Sequence, residues 1–392
     1  MNELFSLGLI LLLALVAGHL VKFLRVPEVT GYILAGVALG PSGLHWLSHQ
    51  HLGALEIFSE VALGLILFSI GTVFELDRFR ATGRRTILLT GVEATLTGSL
   101  VVTGMLAMGS SWPVALLLGA IATETAAAST LMVLRECRAT GPFNDTLLGI
   151  VAVNNIICLA AFSIVATVLD VSTGLGATEA AVLIFNSVFT FIWQMLGGVA
   201  LGFLVGLMLA SWATRITEHG ELLILLIGAI LLCVGAARIL DISPLIASLA
   251  VGATMVNFSQ RSRRLFSVIS RTDPPLYAIF FVIAGADLDL NLLGKLGALG
   301  VVYIAARSLG KLGGGWLGAR WLGMESGIQR NLGSALLSQA GLAIGLTLGI
   351  GSRYPEYGPT VAAVVLGAVI VFELVGPIST RFAVLRESAC TV

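Results

Sequence analysis

The residues able to do chemistry are few and stand out against apolar surroundings. Glu124 lies inside the run Leu118-Gly-Ala-Ile-Ala-Thr123-Glu124-Thr125-Ala-Ala-Ala-Ser-Thr130. A carboxylate in an apolar stretch is costly unless it is paired, solvated or protonated, so Glu124 is either a titrating group or half of a structural ion pair. Arg307 and Lys311 are one helical turn apart and share a helix face. A buried lysine can release its proton or pair with a carboxylate, whereas arginine stays charged, so Lys311 is the candidate switch and Arg307 the strut. Asn154 and Asn155 offer two amides that can ligate a cation or hydrogen-bond across helices. Ser338 and Gln339 form a second polar interruption in Leu332-Gly-Ser-Ala-Leu-Leu-Ser338-Gln339-Ala-Gly341. Thr123, Thr125, Ser338 and Gln339 allow unwinding that exposes backbone carbonyls to an ion, or simply close helix packing. Glu93 and Glu373 lie nearer the ends of their apolar stretches and read as structural partners.

Other chemistries lack their residues. No nucleophile, base and orienter occur together, which argues against an enzyme. The run around Lys311 lacks the Walker spacing of a phosphate loop. Cys137, Cys158, Cys233 and Cys390 stand alone, without metal-ligand spacing. No cofactor is expected.

The elements that position these residues must be membrane helices. Of 392 residues 57% are hydrophobic and 11% charged, against roughly 25% charged in a soluble domain. A crossing needs about 20 apolar residues, which predicts spans near 4–21, 30–47, 54–75, 86–108, 112–134, 146–169, 182–210, 221–239, 243–258, 274–289, 293–319, 331–351 and 359–380. The first stretch lacks a basic leader region and reads as a retained span, and no soluble domain is expected at either end. Loops after odd-numbered spans, with the C-terminus, hold 17 basic residues against 3 on the other side. Arg261, Arg263, Arg264 and Arg271 make the densest of these loops. Retention of basic residues in the cytoplasm predicts an external N-terminus and a cytoplasmic C-terminus. The net charge of zero gives no sign of nucleic-acid binding; lipid is the expected surrounding.

The chain also echoes itself. Leu67-Phe-Ser-Ile-Gly71 with Glu75-Leu-Asp77 recurs as Phe280-Phe-Val-Ile-Ala-Gly285 with Asp287-Leu-Asp289. Pro27 and Gly36 correspond to Pro244 and Gly252, and Gly119 to Gly333, all at offsets of 214 to 217. Two related halves are expected, 1–169 and 221–385, joined by a linker helix over 182–210. With one odd span between them the halves have opposite orientation, and a substrate site is expected at the midplane where helices are discontinuous.

At these residues the sequence resembles the cation:proton antiporter superfamily, in its Kef-type and Nap-type branch, over nearly its whole length. The resemblance rests on Arg25-Val-Pro27, Gly31-Tyr-Ile-Leu-Ala-Gly36, Leu39-Gly-Pro-Ser42, Leu67-Phe-Ser-Ile-Gly71, Phe280-Phe-Val-Ile-Ala-Gly285 and Phe372-Glu-Leu-Val-Gly-Pro377. It implies an all-α membrane fold of about 13 helices in two inverted repeats with two crossing broken helices. It further implies a homodimer with a panel from spans 1–3 and 8–10, and a core from spans 4–6 and 11–13 that moves as an elevator. The family's membrane lysine matches Lys311. Where relatives carry an aspartate-containing pair, this chain has Asn154-Asn155. The expectation is therefore that the carboxylate has moved to Glu124, with Asn154 and Asn155 as neutral ligands and Lys311 as its charge partner.

The expected function is exchange of Na+ or K+ for protons across the inner membrane. A sodium-coupled solute symporter and a transport-inactive regulatory homologue are the alternatives. Many Kef-type relatives append a nucleotide-binding domain, and none is expected for this chain.

Overall fold

A backbone buried in lipid must satisfy its own hydrogen bonds, and a helix does so within one segment. The computed structural model is accordingly helical, with no strand among the described residues. These are 3–47, 49–172, 177–216, 218–259, 266, 274–295 and 297–387. Arg261, Arg263, Arg264, Arg271 and Cys390 lie outside them.

The first half comprises α1 (Glu3–Phe23), α2 (Glu28–Leu39), α3 (His49–Ile70, extended by a 3-10 turn over Gly71–Phe74), α4 (Leu76–Ala107), α5 (Trp112–Ala122), α6 (Ala127–Glu136) and α7 (Pro142–Val171). A connecting helix follows, as α8 (Ala177–Ile192) and α9 (Gly198–Ala213) joined by a π turn over Trp193–Gly197. The second half comprises α10 (His219–Ile239), α11 (Pro244–Phe258), α12 (Pro274–Ala286), the short α13 (Asn291–Lys295), α14 (Gly297–Trp321), α15 (Ser326–Ala335), α16 (Gly341–Arg353) and α17 (Gly358–Glu387). Proline occupies the first turn of α5, α7, α11 and α12, where its missing N–H costs nothing. Among the described residues seven spans are long and apolar enough to cross a membrane, counting α5 with α6 as one, and five apolar helices are shorter.

The predicted stretches fall on these helices in order, with instructive differences. The second ends at Leu39 rather than residue 47. The fourth begins ten residues earlier, at Leu76, because a helix that leaves the apolar layer can carry its charged turn with it. The fifth and twelfth are each two half-helices, broken at 123–126 and 336–340.

The helices sort into two groups by what they pack against. α1, α2, α3, α9, α10, α11 and α12 contact one another; α4, α5, α7, α14, α15, α16 and α17 form the other set; α6 packs on α17 and α7 of that set and also on α3 and α2 of the first, and α17 also touches α2. Glycine sets the closest approaches within the first group. A β-carbon on Gly36 would lie 2.1 Å from the carbonyl oxygen of Val282, and one on Gly285 2.2 Å from that of Ile33. A β-carbon on Gly71 would lie 2.5 Å from the oxygen of Leu249, and one on Gly252 2.0 Å from that of Phe68. Gly36 echoes Gly252 and Gly71 echoes Gly285, so each crossing joins one member of each echo, as a two-fold relation between halves produces.

Overpacking a tight contact costs about 1–3 kcal/mol. Gly36→Ala and Gly252→Ala are each expected to lower the melting temperature in detergent, whereas Gly8→Ala, whose added methyl meets nothing within 4 Å, is expected to leave it within error.

Candidate ion-coupling site at the crossing of two broken helices

The two breaks touch, and each supplies what the other lacks. In an unbroken helix the carbonyl of Ala122 would accept from the N–H of Ala126. Here Ala126 N–H donates to the Ser338 oxygen at 3.0 Å instead. Thr125 Oγ1 donates to the Leu336 oxygen at 3.4 Å, and Ala340 N–H to Glu124 Oε2 at 3.3 Å. Polar groups freed by unwinding are thus paired across the crossing, a requirement in a medium without water.

Arg307 fastens this arrangement. Its guanidinium donates to the oxygens of Ala122 (3.1 Å), Glu124 (2.7 Å), Leu337 (2.7 Å) and Ser338 (3.2 Å). It also lies 4.3 Å from the ring centroid of Phe372, a cation–π contact. Ala122 ends α5, and the other three carbonyls lie in the breaks just beyond the C-terminal ends of α5 and α15, where the helix dipole is negative. The Glu124 carboxylate sits instead at the N-terminus of α16, where the dipole is positive. Three of the four half-helix ends at the breaks therefore meet a compensating charge, with Arg307 bridging two of them.

Lys311 uses all three of its donors. It reaches the Thr123 oxygen at 2.7 Å, Thr125 Oγ1 at 2.9 Å and Glu93 Oε1 at 3.0 Å. The same carboxylate accepts from Thr97 Oγ1 at 2.8 Å, and through Oε2 from the Asn154 amide at 2.9 Å. Asn154 also donates to Thr125 Oγ1 at 3.1 Å. Lys311 is thus the partner of Glu93, which corrects the expected pairing with Glu124. Glu93 also lies in the middle of the 32-residue α4 rather than near an end. The charged residues from Arg78 to Arg85 had hidden the helix start. Gly310 and Gly314, against Thr97 and Glu93, hold α14 tightly on α4.

Glu124 and Glu373 are 2% and 4% exposed, and Glu93, Arg307 and Lys311 are fully buried. Glu373 lies within electrostatic reach of Glu124, and its oxygens have no hydrogen-bond partner among the described residues. Three carboxyls thus face two cations, leaving one carboxyl over. The Oδ1 atoms of Asn154 and Asn155 and the Ser338 hydroxyl oxygen are also buried without a partner. Gln339 is held apart from them by Tyr303 and the Ile121 oxygen, at 2.9 and 3.3 Å.

A cavity of about 810 Å³ opens between the two groups of helices. Asn155 and Ala127 line it, with Leu67 and Leu249 opposite and Arg238 and Asp241 farther along. Asn155 therefore faces a route to the site, whereas Asn154 turns inward to Glu93. Sequence reasoning missed Thr97, Tyr303 and Phe372. Two of them were legible from spacing alone: Thr97 is one turn from Glu93, and Tyr303 one turn from Arg307.

Breaking a buried ion pair from one side costs about 3–5 kcal/mol, because the other charge is left uncompensated. Glu93→Gln is expected to lower the melting temperature sharply, and Glu93→Gln with Lys311→Gln to recover most of the loss. A double variant no more stable than the single would show that the loss does not come from an uncompensated Lys311.

The comparisons with known proteins fit this architecture. The chain is 25% identical over 382 residues to the ammonium/proton antiporter subunit AmhT of Alkalihalophilus pseudofirmus, covering 97% of this chain and 95% of that protein. It is also 25% identical to a sodium/proton antiporter of Enterococcus hirae, covering 93% and 94%. Among solved structures, the sodium proton antiporter MjNhaP1 of Methanocaldococcus jannaschii superposes with a TM-score of 0.74 at 18% identity, over 99% of this chain and 98% of that one. Residues 8–386 match the family described as sodium/hydrogen exchanger, transmembrane, and the chain belongs to that family.

Proposed function

We propose that this protein exchanges a monovalent cation, Na+ or K+, for protons across the cytoplasmic membrane by alternating access. The observation that carries this reading is the odd carboxyl. With Arg307 and Lys311 balanced by two of Glu93, Glu124 and Glu373, the third can hold one proton or one monovalent cation, and a bare carboxylate at that depth is costly. Occupancy by one then excludes the other. That competition is the chemical basis of exchange. Glu124 is assigned as the titrating group in place of the usual aspartate, with Asn154 and Asn155 as neutral oxygen ligands. Thr123, Thr125, Ser338, Gln339 and Arg307 maintain the crossing, Glu373 shares its field, and Lys311 with Glu93 forms a fixed pair beside it. Relatives named as antiporters of sodium and ammonium against protons support the class.

In this reading the repeats, 1–169 and 221–385 with the linker helix between, divide into a moving core that holds the broken helices and a static panel of the glycine-crossed helices. That core would slide as an elevator within a homodimer. The basic loops support an external N-terminus and a cytoplasmic C-terminus. One observation favours a second reading: a cavity of about 810 Å³ is far larger than a bare cation needs. A sodium-coupled solute symporter would use such a space, and solute-dependent sodium uptake without proton movement would select it.

The test is proton flux in proteoliposomes driven by sodium, potassium or lithium gradients. Glu124→Gln is expected to reduce exchange at least about 100-fold, a loss of roughly 2.7 kcal/mol, while the protein keeps its melting temperature. Undiminished flux in that variant would remove Glu124 from the mechanism. Asn155→Asp is expected to retain exchange and shift its pH profile, since it adds a second titrating carboxyl beside the cavity.

A further inference from the structure

The cavity is lined by Arg238 and Asp241, at the junction of α10 and α11, and by Ala127 at the start of α6. From Ala127 the half-helix runs on to Glu136, about 14 Å at 1.5 Å per residue, toward the opposite face. There the Glu136 carboxylate is held from two sides. Its Oε2 accepts from the backbone N–H of Glu28, the first residue of α2, at 2.9 Å. Its Oε1 accepts from Arg381 Nη1 at 2.8 Å. The Glu136 and Arg381 side chains are 11% and 22% exposed. Glu28 is in turn fixed by an ion pair with Lys22 and by the Tyr32 hydroxyl at 2.9 Å. One residue before Glu136, the guanidinium of Arg135 lies 5.6 Å from the ring centroid of Tyr277 on α12.

The membership of these partners gives the contact its meaning. α6 follows the break in the fifth span and α17 packs on α15 and α16, the two halves of the other broken span; α1, α2 and α12 belong to the glycine-crossed group, which both α6 and α17 also touch at α2. The bond from Glu28 to Glu136 therefore ties the two groups together at the face away from the cavity, and Arg381 aims the carboxylate that makes it. A carboxylate at the first turn of α2 also meets the positive end of that helix's dipole. Breaking this contact would expose a charge and an unpaired amide at once.

We propose that Glu136 is a latch between the two helix groups, closing the face opposite the cavity, and that its bond to Glu28 breaks when that face opens. This rests on the alternating-access part of the function proposed above, but on neither the ion nor Glu124. The latch is tested without transport. In a background with the four cysteines replaced by alanine, Leu249→Cys on the cavity wall serves as reporter. A membrane-impermeant maleimide is then applied from either side of oriented proteoliposomes.

The parent is expected to label from the cavity side. Glu136→Ala is expected to raise labelling from the opposite side by about tenfold. Glu136→Gln, which keeps an acceptor for the Glu28 N–H but loses the charge paired with Arg381, is expected to give a smaller rise. Unchanged opposite-side labelling in variants that retain the parental melting temperature would overturn the latch. If the alanine variant melts early, the glutamine variant decides alone, a rise supporting the latch and no rise overturning it. Failure of cation exchange would appear in the flux assay and leave the labelling result standing.

Discussion

Unwinding two helices at the same depth of a membrane protein frees backbone groups that lipid cannot satisfy, and everything at the centre of this molecule follows from how they are satisfied. The Arg307 guanidinium collects four carbonyl oxygens from both breaks, while Ala126 and Ala340 send their amides across the crossing to Ser338 and Glu124. A planar fork with five donors suits this task, and an ammonium with three does not. Because one side chain from α14 fixes both breaks, the half-helices cannot shift independently. The site they frame is therefore built as one unit.

Arg307 and Lys311 are the clearest examples of what the sequence made legible. Isolated charges in an apolar run have few roles open to them, and their spacing assigned them to one face. The breaks were visible as polar interruptions at repeat-equivalent positions. What stayed hidden was adjacency between distant helices. A sequence gives depth along a helix far better than it gives neighbours around it, so Lys311 was matched to the carboxylate of similar depth on the wrong helix. The residues that decide the matter are glycines: Gly310 and Gly314 bring α14 onto Glu93 and Thr97 of α4. Their spacing alone does not say which helix they meet.

The same distinction applies to the fold at large. The echo of Gly36 and Gly71 in Gly252 and Gly285 signalled two related halves, and these four glycines make the two crossings at which helices approach most closely. Helix ends were less legible, because charged turns such as Arg78 to Arg85 continue a helix beyond the apolar layer that defines a span. Such errors are local. They moved Glu93 from a predicted end to the middle of α4 and left the order of elements intact.

The surplus carboxyl has an electrical consequence for a carrier of this kind. With every group ionised the cluster holds one net negative charge, and an occupant of either kind cancels it. In the exchange proposed above, a loaded site is then neutral, and the membrane potential does little work on it. An empty one carries a bare charge, against a field that exerts about 2.3 kcal/mol per charge for each 100 mV. On that proposal desolvation holds back the unloaded site in either direction, and voltage opposes it in one, so the charge count itself works against slippage.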